Sequence, residues 1–414
     1  MQLAERHIIR KSNPFFKEID LVAFLSKNLY NKANYIVRQE FISTSKEKEA
    51  GLREKANYLN YNALQKMLQN GSDVDYYALP TKVSQHVLRL LDKNWRSFFK
   101  AIKDWAKHPA KYTGKPSLPR YKHKTKGRNI LIYTIQAISK IQLKNGFVNP
   151  SQTNIFIETR QKKIQQVRIV PQSGQYVVEI IYKKEVGDKK IANKGNIAGI
   201  DLGLNNLAAV TSNVRATPQL INGKPLKSMN QYYNKKRAEL QSFVGDKSSN
   251  RLQKLTNKRN NKINNYLHNT SRYIANLMDS NNIDTLVIGK NKQWKTEINI
   301  GKRNNQAFVN IPHARLIEMI KYKCELLGIT VICRNESHTS KCSFIDFEEV
   351  KHHDKYLGTR RHRGLFISKE KVKINADCNG SGNIVRKEFP NAFADGIEGV
   401  VVRPIRVTPY KLAS

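Results

Sequence analysis

Acidic residues are scarce in this chain: 33 Asp and Glu stand against 73 Lys and Arg, leaving a formal charge of +40 on 414 residues. So few acids exclude a self-neutralising surface and predict a polyanionic partner, because each phosphate met by a cation releases counterions. Nucleic acid is the first candidate. An anionic membrane surface is the rival, but no basic amphipathic helix with a Trp or Leu face stands out, and no apolar run approaches bilayer length. The amino-terminal "MQLAERHIIRKSNPFFKEID" lacks the apolar core of a signal peptide, so a soluble cytoplasmic protein is expected. Cysteine is equally sparse. Cys324, Cys333, Cys342 and Cys378 form no CxxC pair, which argues against a disulfide framework and against a four-cysteine zinc site. Neither a dinucleotide fingerprint nor a phosphate-cradling glycine loop ending in Lys-Ser/Thr is present.

What is present begins with helical patterning. Val22, Leu25, Leu29, Ala33 and Ile36 recur at helical spacing within 19–42, and Val83, Val87, Leu91, Trp95, Phe98, Ile102 and Trp105 form a second stripe within 81–106. The aromatic members are expected to be core between helices rather than base-stacking platforms. From 107 to 128 the composition changes to eight Lys or Arg, three Pro, two Gly and two Tyr, with no acid between Asp104 and Glu158. This reads as an ordered loop that grips a nucleic-acid backbone through Lys111, Tyr112, Lys115, Arg120, Tyr121, Lys122, Lys124, Lys126 and Arg128. Residues 129–185 then alternate apolar and polar in short segments, "NILIYTIQ", "NIFIETR", "KIQQVRIVPQ" and "QYVVEIIYKK", as a small antiparallel sheet or barrel would. The first ten residues supply its leading strand, with the helices inserted after it.

From 195 the order becomes three strands ("IAGID", "LAAVTS", "QLINGKPLK"), two long polar helices near 228–243 and 248–280, a strand at 284–289, a helix at 313–327 and a strand at 328–333. Hairpin strands followed by alternating helix and strand predict a mixed α/β sheet, where reacting groups collect beyond the carboxyl ends of strands. Asp201 ends the first strand, Glu336 lies three residues past "GITVIC", and Asp377 precedes a helix rich in small residues. Each acid alone could cap a turn. Three together suit hard divalent cations, Mg2+ or Mn2+, and the hydrolysis of a phosphodiester.

The segments "IAGIDLGLNNLAAV", "IPHARLIEMIKYKCELLGITV", "ESHTSKCS" and "INADCNGSGNIVRK", with "LSKNLYNKANYIVRQ", "GKPSLPRYK" and "PNAFADGIEGVVV" in the same order, resemble the TnpB family of transposon-encoded RNA-guided nucleases, relatives of miniature type V CRISPR effectors. The resemblance covers nearly the whole chain. It implies an α+β multidomain protein: a wedge-like β-barrel with an inserted helical recognition lobe, then a RuvC nuclease domain of RNase H-like architecture. The boundaries it implies are 1–12 for the first barrel strand, 13–108 for the helical lobe and 109–190 for the barrel with its basic loop. They continue with 191–334 and 375–395 for the nuclease domain, 335–374 for a degenerate zinc-ribbon insert that binds target nucleic acid, and 396–414 for the tail. By resemblance Asp201 is the first catalytic and metal-binding acid and Asp377 the third. Asn62, Lys82 and Gln85 are the residues expected at a DNA motif flanking the target.

Two departures stand out. Where the family places its second acid, at the end of "DTLVIGKN", this chain has Gly289 and Lys290. Some members supply the acid from the next strand, just before the "TS" motif, and here that residue is Glu336; otherwise Glu336 is a loop residue and the site is dead. Asp284, Glu297, Glu318, Asp346, Glu348 and Glu349 are weaker candidates. The family's zinc ribbon near "TSKCSFIDF" lacks its CxxC pairs, so no zinc is expected. The implied activity is a prokaryotic, metal-dependent, RNA-guided DNA endonuclease, one protein holding one guide RNA and cutting double-stranded DNA beside a short motif. The alternatives are a guided DNA-binding regulator without nuclease activity, a CRISPR-associated miniature effector, a general basic RNA-binding protein, and a transposase acting on DNA without RNA.

Overall fold

The computed structural model describes residues 1–185, 195–214, 216–245, 247, 249–291, 311–362, 364–394, 396 and 404–409. The chain divides into two compact units, Met1–Lys184 and Glu185–Ser414.

In the first unit, β1 (Gln2–Ile9) is followed by four helices, α1 (Phe16–Glu49), α2 (Tyr61–Asn70), α3 (Val74–Tyr77) and α4 (Thr81–Lys107). The chain then returns to sheet through β2 (Leu131–Thr134), and a short helix α5 (Lys140–Lys144) leads to the ribbon β3 (Phe147–Val148) and β4 (Ile157–Glu158). The hairpin β5 (Gln166–Gln172) and β6 (Gln175–Lys183) closes the unit. Ser173 and Gly174 both adopt positive φ in that hairpin's two-residue turn, the twist that a tight hairpin requires. The helices do enter after the first strand, as the sequence predicts, and β1 pairs antiparallel with β6, Gln2 opposite Lys183. The expected barrel is corrected: the described strands form an open antiparallel sheet in the order β1-β6-β5-β2 and a separate two-stranded ribbon. The aromatic stripe of α4 is core through Trp95, Phe98 and Phe99, whereas Trp105 is half-buried outside it with the Lys115 ammonium over its ring. Trp95 is fully buried against Phe41, Tyr58, Phe98 and Phe99, and its indole N–H donates to Asn34 Oδ1 at 3.0 Å. α2 presents only two buried side chains, Leu64 and Leu68, a stripe too short to read from the sequence.

The second unit is built on a six-stranded sheet. β7 (Ile197–Leu202), β8 (Asn206–Ser212) and β9 (Gln219–Asn222) form an antiparallel meander. The third strand is shorter than "QLINGKPLK" suggests, because Gly223 caps α6 (Lys224–Val244) and Pro225 sits in its first turn, where a missing N–H costs nothing. After α7 (Asn250–Ser280) comes β10 (Thr285–Gly289), parallel to β7; after α8 (His313–Glu325) comes β11 (Thr330–Arg334), parallel to β10. A three-stranded insert of β12 (Thr359–His362), β13 (Leu365–Ile367) and β14 (Lys373–Ile374) precedes α9 (Ala376–Glu388). β15 (Ile405–Val407) adds a parallel edge strand beside β9, giving the order β11-β10-β7-β8-β9-β15. The sheet is apolar on both faces. Ala198, Ile200, Leu202, Leu286 and Ile288 join the core with α7 and α8, while Ile197 and Val287 pack with Ile384 and Val385 of α9. No helix among the described residues is long and apolar enough to cross a membrane.

Candidate active site

Strand alternation places the first acid. Since Ala198, Ile200 and Leu202 turn toward α7 and α8, Ile197, Gly199 and Asp201 turn toward α9. That helix lies unusually close. A Cβ on Gly199 would collide with the Ser381 carbonyl oxygen, and a Cβ on Gly380 would stand 2.6 Å from Asp201 Oδ2. The small-residue run of "ADCNGSGN" therefore lets α9 settle onto the strand and puts the Asp201 carboxylate against its backbone. Thr211 and Ser381 share a buried hydroxyl pair at 2.5 Å below it.

Glu336 reaches the same cleft from two residues beyond β11. Gly289 lies opposite Arg334 in the parallel register, and the next turn carries Glu336 back over the end of β10. A Cβ on Gly289 would meet Glu336 Oε2 at 2.7 Å, Ile384 Cδ1 at 2.6 Å and Glu336 Cβ at 3.3 Å. The space that a side chain at position 289 would fill is thus occupied by the carboxylate of Glu336. The turn after it is fixed by Thr339, whose N–H and hydroxyl both donate to the Glu336 carbonyl, and by Asn383 and Lys387 of α9, which donate to the carbonyls of Thr339 and Ser337.

Asp377 comes from the first turn of α9, where Asn375 caps the helix by accepting from the N–H groups of Asp377 and Cys378. Its Oδ2 accepts from Asn206 Nδ2 at 2.7 Å, and its Oδ1 lies 3.3 Å from Arg360 Nη2. Asp201, Glu336, Asp377, Asn206, Asn291 and Arg360 line one cleft of about 370 Å³. Asp377 and Arg360 also line a second cleft of about 600 Å³, which adds the cations Lys224 and Arg406.

Burial and mutual repulsion dominate the electrostatics. Burial pushes the Asp201 carboxyl well above its usual range, with the neighbouring charges of Glu336 and Asp377 adding to the effect and Arg360 opposing it. Burial pushes Glu336 up to about 7, against a smaller opposing pull from Lys387. No hydrogen-bond donor reaches the Asp201 carboxylate among the described residues, and Glu336 Oε2 and Asn206 Oδ1 are buried without a partner. Oxygen acceptors without donors, in a cleft where negative charge is held back, fit a hard divalent cation. Among the described residues no three His, Cys, Asp or Glu side chains are grouped tightly enough to hold one ion by themselves.

The remaining sequence expectations divide. The 107–128 loop is stapled to α1 through its backbone: Asn31 brackets Lys122, donating to its carbonyl and accepting from its N–H, both at 2.8 Å, and Asn34 donates to the Pro119 carbonyl. The buried Lys27 ammonium donates to the Lys124 carbonyl at 2.7 Å. This leaves Lys115, Arg120, Lys124 and Lys126 exposed, with Tyr121 exposed beneath the Arg38 guanidinium. Lys111 and Tyr112 instead both engage Asp104 at 2.6 Å, and these two donors hold its carboxyl far below the usual range. Arg128 makes a two-pronged pair with Asp20, and Lys122 is half-buried over the Tyr30 ring. Asn62 is exposed, whereas Lys82 and Gln85 are half-buried on α4. Of the weaker acids, Asp284 accepts from the Asn196 N–H, Asp346 from the Lys369 N–H and Glu348 from two backbone N–H groups, while Glu349 pairs with Lys351; Glu297 lies outside the described residues. Asn206, Asn291 and Arg360 escaped the sequence reading, because single amides and one arginine in "GTRRHRG" carry no spacing signal.

Two family models match the chain: a probable transposase family, OrfB_IS605, over 175–295, and a Cas12f1-like TNB domain over 313–384. The TnpB-like protein ORF457 of Acidianus two-tailed virus is 24% identical over 448 aligned positions, covering 97% of this chain and 88% of that protein. Two solved structures, a Cas12f1–sgRNA–target DNA complex and a CRISPR-Cas12f ternary complex, are each 16% identical. They superpose with TM-scores of 0.36, over 93% of this chain and 100% of that one, and 0.35, over 88% and 81%. Scores this low carry no argument about geometry. The two family models follow one another from the last strand of the first unit through the second, and the viral TnpB-like relative aligns along almost the entire length; together they support a member of the TnpB family.

Proposed function

We propose that this protein is an RNA-guided DNA endonuclease that hydrolyses phosphodiesters at Asp201, Glu336 and Asp377. The observation that carries the reading is the fit of the Glu336 carboxylate into the space above Gly289. An acid lost from one strand end and a carboxylate from the neighbouring strand in its place are what a relocated glutamate requires. The sheet order, a three-stranded meander followed by two parallel strands, supports a RuvC-type domain of RNase H architecture.

In this reading Asp201, Glu336 and Asp377 hold divalent cations, Mg2+ or Mn2+, through carboxylate oxygens. Such ions supply activation of the attacking water and stabilisation of the leaving oxygen. The chain's own groups do the rest. α9 sets the depth of Asp201, Asn206 orients Asp377, and Arg360 offers a guanidinium to a phosphate entering beside Asp377. The reaction adds one water across one P–O bond. The cations Lys224 and Arg406 of the adjoining cleft suit the backbone of the strand being cut. Lys115, Arg120, Lys124 and Lys126 suit guide RNA or heteroduplex phosphates, while pairing with the guide selects the target and Asn62, Lys82 and Gln85 contact the flanking duplex.

The test is Mg2+-dependent cleavage of a guide-matched plasmid library by the purified ribonucleoprotein, with Asp201→Ala and Glu336→Ala alongside. The expected result is cutting by the wild type and at least 100-fold loss in both variants, with guided binding retained. Guided binding without cutting by the wild type would replace this reading with that of a regulator.

A further inference from the structure

Asn291 follows the end of β10 by two residues and makes a reciprocal pair of contacts with Glu336. Its Nδ2 donates to Glu336 Oε1 at 3.1 Å, and its Oδ1 accepts from the Glu336 backbone N–H, also at 3.1 Å. One amide thus grips both the main chain and the carboxylate of the same residue. On the other side, the carboxylate's Oε2 stands 2.7 Å from where a Cβ on Gly289 would lie, buried and without a donor among the described residues.

A glutamate side chain has three rotatable bonds, and holding it in one rotamer costs free energy that a ligand must otherwise supply. A strand-end acid is oriented by its own strand, but Glu336 lies outside β11 in a turn and depends on neighbours for its direction. We infer that Asn291 is the positioning residue for Glu336: it fixes the turn through the N–H and the carboxylate through Oε1, so that Oε2 and the second lone pair of Oε1 remain for a cation. The inference rests on the proposed metal-dependent reading of the cleft. It assigns to the end of β10 an orienting amide in place of an acid, so the strand still serves the site without supplying a ligand. Partners that orient metal-binding carboxylates change metal affinity or activity by about 10-fold to 100-fold when removed.

The experiment is Mn2+ titration of the ribonucleoprotein by electron paramagnetic resonance, in parallel with plasmid cleavage, for wild type, Asn291→Ala, Glu336→Ala and the two combined. Asn291→Ala is expected to weaken Mn2+ binding about 10-fold or more and to raise the Mg2+ concentration needed for half-maximal cleavage. Guided DNA binding should stay unchanged, and the thermal midpoint should fall only slightly, by the loss of the two hydrogen bonds. In the Glu336→Ala background the Asn291 change should have no further effect on Mn2+ affinity, because its target is gone. An Asn291→Ala protein that binds Mn2+ like wild type, or losses that add in the double variant, would overturn the inference. Asn291→Ser provides the same comparison if the alanine variant is not recovered. If the wild type binds Mn2+ with this dependence yet never cuts, the positioning role stands and the nuclease reading falls. If Asp201→Ala also leaves Mn2+ binding untouched, the metal reading fails and the inference with it.

Discussion

At the scale of single residues, three glycines shape the cleft by what they lack. Gly199 and Gly380 let α9 and β7 approach, and Gly289 leaves room for Glu336. Gly380→Ala would drive a methyl into the Asp201 carboxylate; cleavage is expected to fall by about 10-fold or more while guided DNA binding persists, read on matched and unmatched targets. Gly199→Ala meets backbone instead, and overpacking of that kind costs about 1–3 kcal/mol, which a urea melt of the ribonucleoprotein-free chain would show. A different residue sets a pH dependence. Lys323, 3% exposed, donates to the His268 carbonyl and Ser271 hydroxyl, and burial brings its ammonium down to about 8 from 10.5. Below pH 8 both folded and unfolded chains carry the proton, and the folded state bears the cost of burying it. Between pH 8 and 10.5 the folded state releases it first, so this group adds about 3 kcal/mol of stability as pH rises. Lys323→Met should remove that rise, measured as the difference between the two proteins' melting curves at pH 7.5 and 10.

At the scale of elements, the insert between β11 and α9 is closed by hydrogen bonds. Glu348 is buried and accepts from the N–H groups of Ser343 at 2.6 Å and Leu357 at 2.9 Å, which draws together the two arms of the turn. Asn379 and Asn383 of α9 both donate to the Cys342 carbonyl, and Arg386 donates to the carbonyls of Phe347 and Glu348. Glu348→Ala would leave two inward N–H groups unmet and is expected to loosen the insert by about 3 kcal/mol, seen as faster amide exchange over 343–357 with the sheet unaffected. The sequence names Glu348 only as a weak catalytic candidate, because a buried carboxylate that serves backbone amides has no local pattern. Strand and helix order, by contrast, was readable: apolar alternation and helical stripes survive in any context, so β1, the α4 stripe and the β7–β11 succession were located. That the first unit's sheet stays open rather than closing into the expected barrel was not, since closure depends on which edges pair, and alternation along a strand is silent about its neighbours. Asp201 and Asp377 were readable as acids at element ends. Glu336 was legible as an acid just past a strand end, and its link to position 289 only from the absence of an acid there; Asn291, Asn206 and Arg360 became visible only once the fold had brought them to the cleft.

At the scale of the whole molecule, the charge of +40 is distributed between cations already paired within the fold and cations left free. Lys111 and Arg128 belong to the first group, whereas Lys115, Arg120, Lys124 and Lys126 are exposed. Replacing those four exposed residues by Ala should flatten the slope of log affinity for RNA against log salt by about 3, whereas Lys111→Ala with Arg128→Ala should lower thermal stability and change the slope far less. The central claim, that Glu336 stands in for an acid absent from β10, is tested most directly by moving the carboxylate back. Gly289→Glu alone collides with Glu336 and with Ile384 Cδ1; Glu336→Ala alone removes the acid; together, in an Ile384→Val background that clears the Cδ1 atom from position 289, they restore one glutamate to the same volume. Guide-directed plasmid cleavage in Mg2+ should be abolished or nearly so in each single variant and recovered, at least in part, in the double variant. A double variant no better than Glu336→Ala, in a protein that still binds its guided target, would contradict the account.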